Sequence, residues 1–192
     1  MQVGNIKYLF SLCPTKRTIM ITIICGTNRE NSVSKQLALH YAAIVRQKGE
    51  TAEVLSLEDM PHDFIGSALY ENSGKNESFN EMREAMLAAQ KMVFIVPEYN
   101  GSFPGVLKTF IDGLAFPGTF KEKKCALVGL SSGVQGGGLA LSHLTDIFNY
   151  CGTNVLAFKP KLARIEANFV EGKLSPLYQE LLEEQVGKLI AF

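Results

Sequence analysis

Apolar runs and segments of helical periodicity alternate along the 192-residue chain. Five runs are short and nearly unbroken, which is typical of parallel strands covered on both faces. The predicted strands are 18–24, 53–57, 91–96, 125–130 and 154–158. The predicted helices are 32–48, 77–90, 104–114, 138–150 and 177–190. This order predicts a single α/β domain, with a parallel sheet between two layers of helices.

The first nineteen residues differ in character from the rest. A short apolar stretch, 8–13, follows Lys7, and it lacks the small-residue cleavage site of a signal peptide. Met20 stands directly before an apolar run. We therefore expect an N-terminal extension over 1–19 and the folded domain over 20–192. The alternative is that 1–19 forms an added strand or a dimer arm.

The equal numbers of acidic and basic residues argue against some classes of function. Lys and Arg number 19, as do Asp and Glu, so the formal net charge is zero. This balance argues against a general nucleic-acid binder and against a strongly acidic electron carrier. No apolar run approaches the ~18–20 residues that cross a bilayer. Cys13, Cys25, Cys125 and Cys151 form no CxxC pair and no zinc-ligand spacing, so we expect reduced thiols, a cytoplasmic protein and no metal site.

The loop after the first predicted strand, 26–34, has the composition of an anion site. It carries the hydroxyls of Thr27, Ser32 and Ser34, the guanidinium of Arg29, and the free N–H groups of a helix start. It matches neither the dinucleotide fingerprint nor the P-loop, so a terminal phosphate is the favoured anion. The alternative is an ordinary polar loop in which Ser32 caps the helix.

The loop after the third predicted strand, 97–105, combines a strand stop at Pro97 with the flat side chains of Tyr99 and Phe103. Gly101 lets the backbone approach a ligand closely. The amides expected to face ring heteroatoms are those of Glu98, Asn100 and Gly101. The alternative is a loop with helix-start signals and one packed aromatic residue.

The loop after the fourth predicted strand, 131–138, has four glycines within six residues. Such glycines indicate either close approach to a flat ring or a flexible turn. In an open α/β sheet, ligands bind beyond the carboxyl ends of the strands, so the three loops are expected to form one site. A phosphate end and a flat heteroaromatic end together favour a mononucleotide.

No side chain is predicted to be catalytic. His40, His62 and His143 all lie outside the three loops and are expected to be structural or solvated. Lys108 and Asp112, four residues apart on one predicted helix, are expected to form a surface pair.

Three segments resemble the NADPH-dependent FMN reductases, the group that includes quinone, chromate and azo-dye reductases. They are GTNRENS at 26–32, PEYNGSFPGVLKTFIDGL at 97–114 and SSGVQGG at 131–137. The resemblance runs from about residue 18 to 192. It implies a flavodoxin-like three-layer sandwich with a five-stranded parallel sheet.

The resemblance also assigns cofactor-binding residues. Those implied to hold the FMN phosphate are Thr27, Arg29, Ser32, Val33 and Ser34. Those implied to frame the isoalloxazine are Pro97, Glu98, Tyr99, Asn100 and Gly101, with Ser132 and Gly133 approaching from the third loop. Thr27 keeps the hydroxyl of the Ser found in many relatives, whereas Ser34 replaces a common Asn and shortens one donor.

The implied function is transfer of hydride from NAD(P)H through FMN to quinones, azo compounds, free flavin or similar small acceptors. The flavin would carry the chemistry, and NAD(P)H would be the co-substrate. A homodimer or homotetramer is implied, with no nucleic-acid or membrane partner. The alternatives are an electron-transfer module without NAD(P)H activity and a flavodoxin-like interaction protein that binds no flavin.

Overall fold

A parallel β-sheet is the centre of the computed structural model, which describes residues 18–192. The strands are β1 (Met20–Cys25), β2 (Thr51–Ser56), β3 (Lys91–Pro97), β4 (Lys124–Leu130), β5 (Asn154–Val155) and β6 (Lys161–Leu162). Their order across the sheet is β2-β1-β3-β4-β5, and β6 also pairs with β4. All these pairings are parallel. The order 2-1-3-4-5 is that of the flavodoxin-like doubly wound sheet, so the predicted fold class is confirmed.

Helices cover both faces of the sheet. They are α1 (Val33–Gln47), α2 (Phe64–Ser67), α3 (Glu77–Ala88), α4 (Gly105–Gly113), α5 (Gly138–Tyr150), α6 (Ile165–Asn168) and α7 (Pro176–Ala191). Side chains that alternate along each strand separate into two apolar clusters. The cluster on the α1 and α7 side includes Ile21, Ile23, Leu37, Val45 and Leu189. The cluster on the α3, α4 and α5 side includes Ile24, Phe79, Phe94, Phe110 and Phe148.

The end of the sheet differs from the sequence prediction. The single strand expected at 154–158 is instead the short β5, and after a break β6 pairs higher along β4. Pro160 lies in that break, and although it has no N–H to donate, its carbonyl accepts from Gly129 N at 3.0 Å. A small antiparallel hairpin of β7 (Phe169–Val170) and β8 (Lys173–Leu174) was not predicted.

Lysine side chains close helix ends at the amino edge of the sheet. Lys91 is buried, and its Nζ donates to the carbonyls of Leu189 at 2.7 Å and Ile190 at 2.9 Å, in the last turn of α7. Lys123 Nζ donates to Ala89 O at 2.8 Å, just beyond α3. Burial, together with the nearby charge of Lys124, lowers the pKa of Lys91. These cations satisfy carbonyls that a helix C-terminus otherwise leaves unpaired.

The proposed extension over 1–19 lies almost entirely outside the described residues. Within them, Ile19 N donates to Glu50 Oε2 at 2.6 Å, and Ile19 O accepts from Thr51 N at 3.1 Å. The first strand begins at Met20, two residues later than predicted.

Candidate functional site

A cleft of about 230 Å³ lies at the carboxyl edge of the sheet, where the loops after β1, β3 and β4 meet. From the first loop it is lined by Thr27, Arg29, Asn31, Ser32, Val33 and Ser34. From the second and third loops it is lined by Pro97, Glu98, Tyr99, Ser131 and Ser132. The expected meeting of the three loops in one site is therefore observed. Asn100, Gly101 and Gly133 belong to the same loops but do not line this cleft.

The first loop brings to the cleft N–H groups that have no backbone acceptor within residues 18–192. Ser32 is the N-cap of α1, and its Oγ accepts from Lys35 N at 3.2 Å. The N–H groups of Val33 and Ser34 lie in the first turn, where no intrahelical acceptor is available. Ser32 thus acts as the cap considered above, and the turn that it caps still presents N–H groups to the cleft.

The second loop ends in a tight, well-defined turn. Tyr99 N donates to Ser102 O at 2.8 Å, and Ser102 N donates to Tyr99 O at 3.0 Å. Between them, Asn100 has φ of 51° and Gly101 has φ of 75°. Positive φ at both central residues is the geometry of a type I′ turn, for which Asn-Gly is the favoured pair. The turn tip is therefore fixed by the backbone.

One expectation for this loop is wrong. Glu98 N does not face the cleft, because it donates to Leu130 O at 3.0 Å and extends the pairing of β3 with β4. Within residues 18–192, no backbone acceptor takes the N–H of Asn100 or Gly101. These two amides are the ones that the turn leaves available to a ligand.

Two side-chain hydrogen bonds hold the turn from opposite sides. Tyr99 OH lies 2.9 Å from Thr27 Oγ1 in the first loop. Ser102 Oγ lies 2.9 Å from His143 Nδ1 on α5. His143 lies outside the three loops and was expected to be structural or solvated, and its position on a helix gave no sign of this contact. The structure brings it to the base of the second loop.

The third loop is exposed over residues 132–135, but hydrogen bonds tie it to the rest of the chain at several points. Ser131 Oγ accepts from Gly136 N at 3.0 Å, and Gly133 O accepts from Arg164 N at 2.8 Å. At Gly136, φ is 58°, and an added Cβ would lie 2.6 Å from the carbonyl carbon of Lys161. Close packing against the chain around β6 therefore explains this glycine without a flat ring.

The same packing adds two lining residues that the sequence did not reveal. Ile165 N donates to Ser131 O at 3.0 Å, which draws the start of α6 to the cleft. Ile165 and Glu166 consequently line it. They do not directly follow a predicted strand, so the positions of the strand ends did not point to them.

Hydroxyls, helix N–H groups and one guanidinium make the first-loop side of the cleft suitable for a phosphate monoester. Glu98 and Glu166 place carboxylates elsewhere on the lining, so charge complementarity is confined to that side. Beneath the loop, Cys25 Sγ lies 3.8 Å from Thr27 O, and burial raises the pKa of this thiol. Within residues 18–192, no cluster of His, Cys, Asp and Glu is arranged to hold a metal ion.

Comparison with known proteins identifies relatives that are similar to this chain in sequence. A 2-hydroxy-1,4-benzoquinone reductase from a Burkholderia species is 30% identical over 165 residues, covering 78% of this chain and 84% of the relative. An FMN-dependent NADPH-azoreductase from Staphylococcus aureus (strain USA300) is 30% identical over 128 residues, covering 65% of this chain and 66% of the relative.

A solved structure also shares the fold of this chain. The apo form of the NADH:FMN oxidoreductase EMOB matches with a TM-score of 0.75 and 20% identity, covering 90% of this chain and 88% of that one. At such identity the match shows the fold alone. The family model of the NADPH-dependent FMN reductases matches residues 19–159, a span that holds the first, second and third loops. The chain belongs to the NADPH-dependent FMN reductase family.

Proposed function

We propose that this protein is an FMN-dependent oxidoreductase that passes hydride from NAD(P)H to small planar acceptors. The acceptor classes are quinones, azo compounds and free flavin. One observation carries the proposal: the capped first turn of α1 and the Asn100–Gly101 turn belong to loops that meet at a single cleft. Family membership and the names of the quinone reductase and azoreductase relatives support the same chemistry.

The division of labour between cofactor and chain follows from the residues present. FMN, when bound, supplies the hydride chemistry. Thr27, Ser32 and the N–H groups of Val33 and Ser34 bind the phosphate, and Arg29 adds a charge-assisted bond.

The second and third loops orient the ring. The free amides of Asn100 and Gly101 face the heteroatom edge, while Pro97, Glu98 and Tyr99 form the adjoining wall. Ser132 and Gly133 approach from the third loop, which is kept in place by its bonds to Ser131 and Arg164. A turn fixed by its own backbone hydrogen bonds would hold the ring in one position, and FMN held there would supply the transfer from NAD(P)H to the acceptor.

The assembly is proposed to be a homodimer or homotetramer. Phe116 and Tyr150 are 68% and 86% exposed, and they border an apolar pocket of about 470 Å³ between α4 and α5. Exposed aromatic side chains beside such a pocket are characteristic of surfaces that bind another chain. Light scattering of the purified protein measures the number of copies.

The proposed compartment is the cytoplasm, and the proposed flavin-binding domain is 20–192, with 1–19 outside it. The thiols of Cys25, Cys125 and Cys151 are free, as is usual in a reducing environment. None of the helices in residues 18–192 is both long and apolar enough to span a membrane. All three loops that meet at the cleft lie after Met20.

The test is an anaerobic absorbance spectrum of the FMN-loaded protein before and after addition of NADPH, and separately of NADH. Prompt bleaching of the flavin band by either nucleotide is the expected result. A protein that binds FMN but is reduced by neither would instead be an electron-transfer module, and one that takes up no FMN would contradict the cofactor assignment. The same measurement on a chain beginning at Met20 should give the same result.

A further inference from the structure

We infer that Tyr99 is a positioning residue for the phosphate end of the cofactor, acting by directing the hydroxyl proton of Thr27 into the cleft. The inference rests on the proposed function. It gives Tyr99, expected from the sequence to frame the ring, a second role at the opposite end of the ligand.

The hydrogen bonds around Thr27 carry this inference. Thr27 is 1% exposed, and its Oγ1 lies 3.3 Å from the N–H of Arg29 and 2.9 Å from Tyr99 OH. A threonine hydroxyl has one proton to donate and two lone pairs that accept. The Arg29 N–H can only donate, so it occupies one lone pair.

The bond to Tyr99 can run in either direction, and the two directions have different consequences. If Tyr99 donates, both lone pairs of Thr27 Oγ1 are used and its own proton is free to point into the cleft. If Thr27 donates instead, its proton is spent on Tyr99 and the cleft loses a donor. An anion in the cleft favours the first arrangement, because only that arrangement offers it a proton.

The resulting chain of donors runs from Tyr99 to Thr27 and from Thr27 to the anion. Hydrogen bonds in such a chain polarise one another, so each is stronger than it would be alone. Within residues 18–192, the hydrogen-bond partners of Thr27 Oγ1 are the Arg29 N–H, which can only donate, and Tyr99 OH, which can donate or accept, so Tyr99 is the partner that sets where the Thr27 proton points. Loss of the Tyr99 hydroxyl should therefore weaken phosphate binding, even though Tyr99 need not touch the phosphate.

The test compares FMN with riboflavin, which has the same ring and no phosphate. Tyr99→Phe removes only the hydroxyl and retains the aromatic ring. We expect its dissociation constant for FMN to rise about 3- to 10-fold, the effect of one net hydrogen bond, with little change for riboflavin. Quenching of flavin fluorescence on titration measures both constants without any need for turnover.

Ser102→Ala supplies the matched control, since it removes the hydroxyl on the other side of the same turn. If it alters binding through the turn, the constants for FMN and riboflavin should change together. Thr27→Val provides a second route to the same conclusion. In that background, Tyr99→Phe should have no further effect on FMN affinity, because the proton that it directs is already gone.

A Tyr99→Phe variant that weakens FMN and riboflavin equally, or neither, would overturn the inference. So would an undiminished effect of Tyr99→Phe in the Thr27→Val background. These results differ from failure of the proposed function, which would appear as a wild-type protein with no affinity for FMN.

Discussion

The polar groups at the helix ends are paired differently at the two edges of the sheet. At the carboxyl edge, Val33 and Ser34 begin α1 and line the cleft, and their N–H groups have no acceptor within the helix. At the amino edge, Lys91 and Lys123 donate to carbonyls at or just beyond the ends of α7 and α3. A helix leaves unpaired groups at both of its ends, so the difference lies in what the chain supplies to pair them.

We expect the amino edge to contribute to stability and the carboxyl edge to contribute to ligand binding. Internal donors at the amino edge make that edge part of the folded framework. Within residues 18–192, the N–H groups of Val33 and Ser34 at the carboxyl edge have no backbone acceptor, and we propose that they bind an anion, so they would contribute to ligand affinity instead of to folding. Substitutions at the two edges should therefore change different measurements.

The largest effect is expected from Arg29→Ala at the carboxyl edge. Losing charge-assisted bonds to a phosphate should raise the FMN dissociation constant about 10- to 100-fold. Because Arg29 is exposed, the thermal midpoint of the FMN-free protein should stay the same. Fluorescence titration and thermal unfolding give the two values.

Arg46→Ala is the control for that variant, since Arg46 lies in the last turn of α1, at the opposite end from the cleft, and donates to Ala52 O at 2.7 Å. It should leave FMN affinity unchanged. Equal FMN affinity of the Arg29 variant and the wild type would remove Arg29 from the phosphate site.

A smaller effect of the opposite kind is expected from Lys91→Met. The substitution keeps the length of the side chain but leaves the carbonyls of Leu189 and Ile190 without their donor. We expect the free energy of unfolding to fall by about 2 kcal/mol, the typical size for loss of bonds from a charged donor. Urea denaturation measures this, and the FMN dissociation constant of the folded variant should match that of the wild type.

The smallest effect is expected from Lys108→Met. Lys108 Nζ lies 2.7 Å from Asp112 Oδ1, which confirms the predicted surface pair, but both side chains are about half exposed. Exposed pairs at this spacing on a helix are worth only about 0.3–0.5 kcal/mol. A loss in urea denaturation as large as that of Lys91→Met would show that burial does not distinguish the two lysines.

Local pattern was enough to predict much of the framework. The strands β1, β3 and β4 are buried along their length except for one end residue each, so their apolar composition carries a strong signal. The short β5 and β6 have only two residues each, and their pairing with β4 depends on where a neighbouring strand lies. Such strands are set by tertiary contacts, which no run of residues records.

The residues of the candidate site likewise include some that the sequence could predict and others that depend on tertiary packing. Residues within the first and second loops could be placed together because strand ends converge. The contact of Ser102 with His143, and the approach of Ile165, depend on how α5 and α6 pack. The glycines of the third loop correctly indicated close packing, but at Gly136 the group packed against the backbone belongs to the protein's own chain.

The burial of Cys25 has a further consequence for the proposed quinone acceptors. Quinones are electrophiles, and the thiolate, not the thiol, is the form of cysteine that attacks them. Cys25 is fully covered beneath the first loop, and burial keeps it protonated by raising its pKa. The proposed quinone acceptors would therefore meet no exposed thiolate at Cys25.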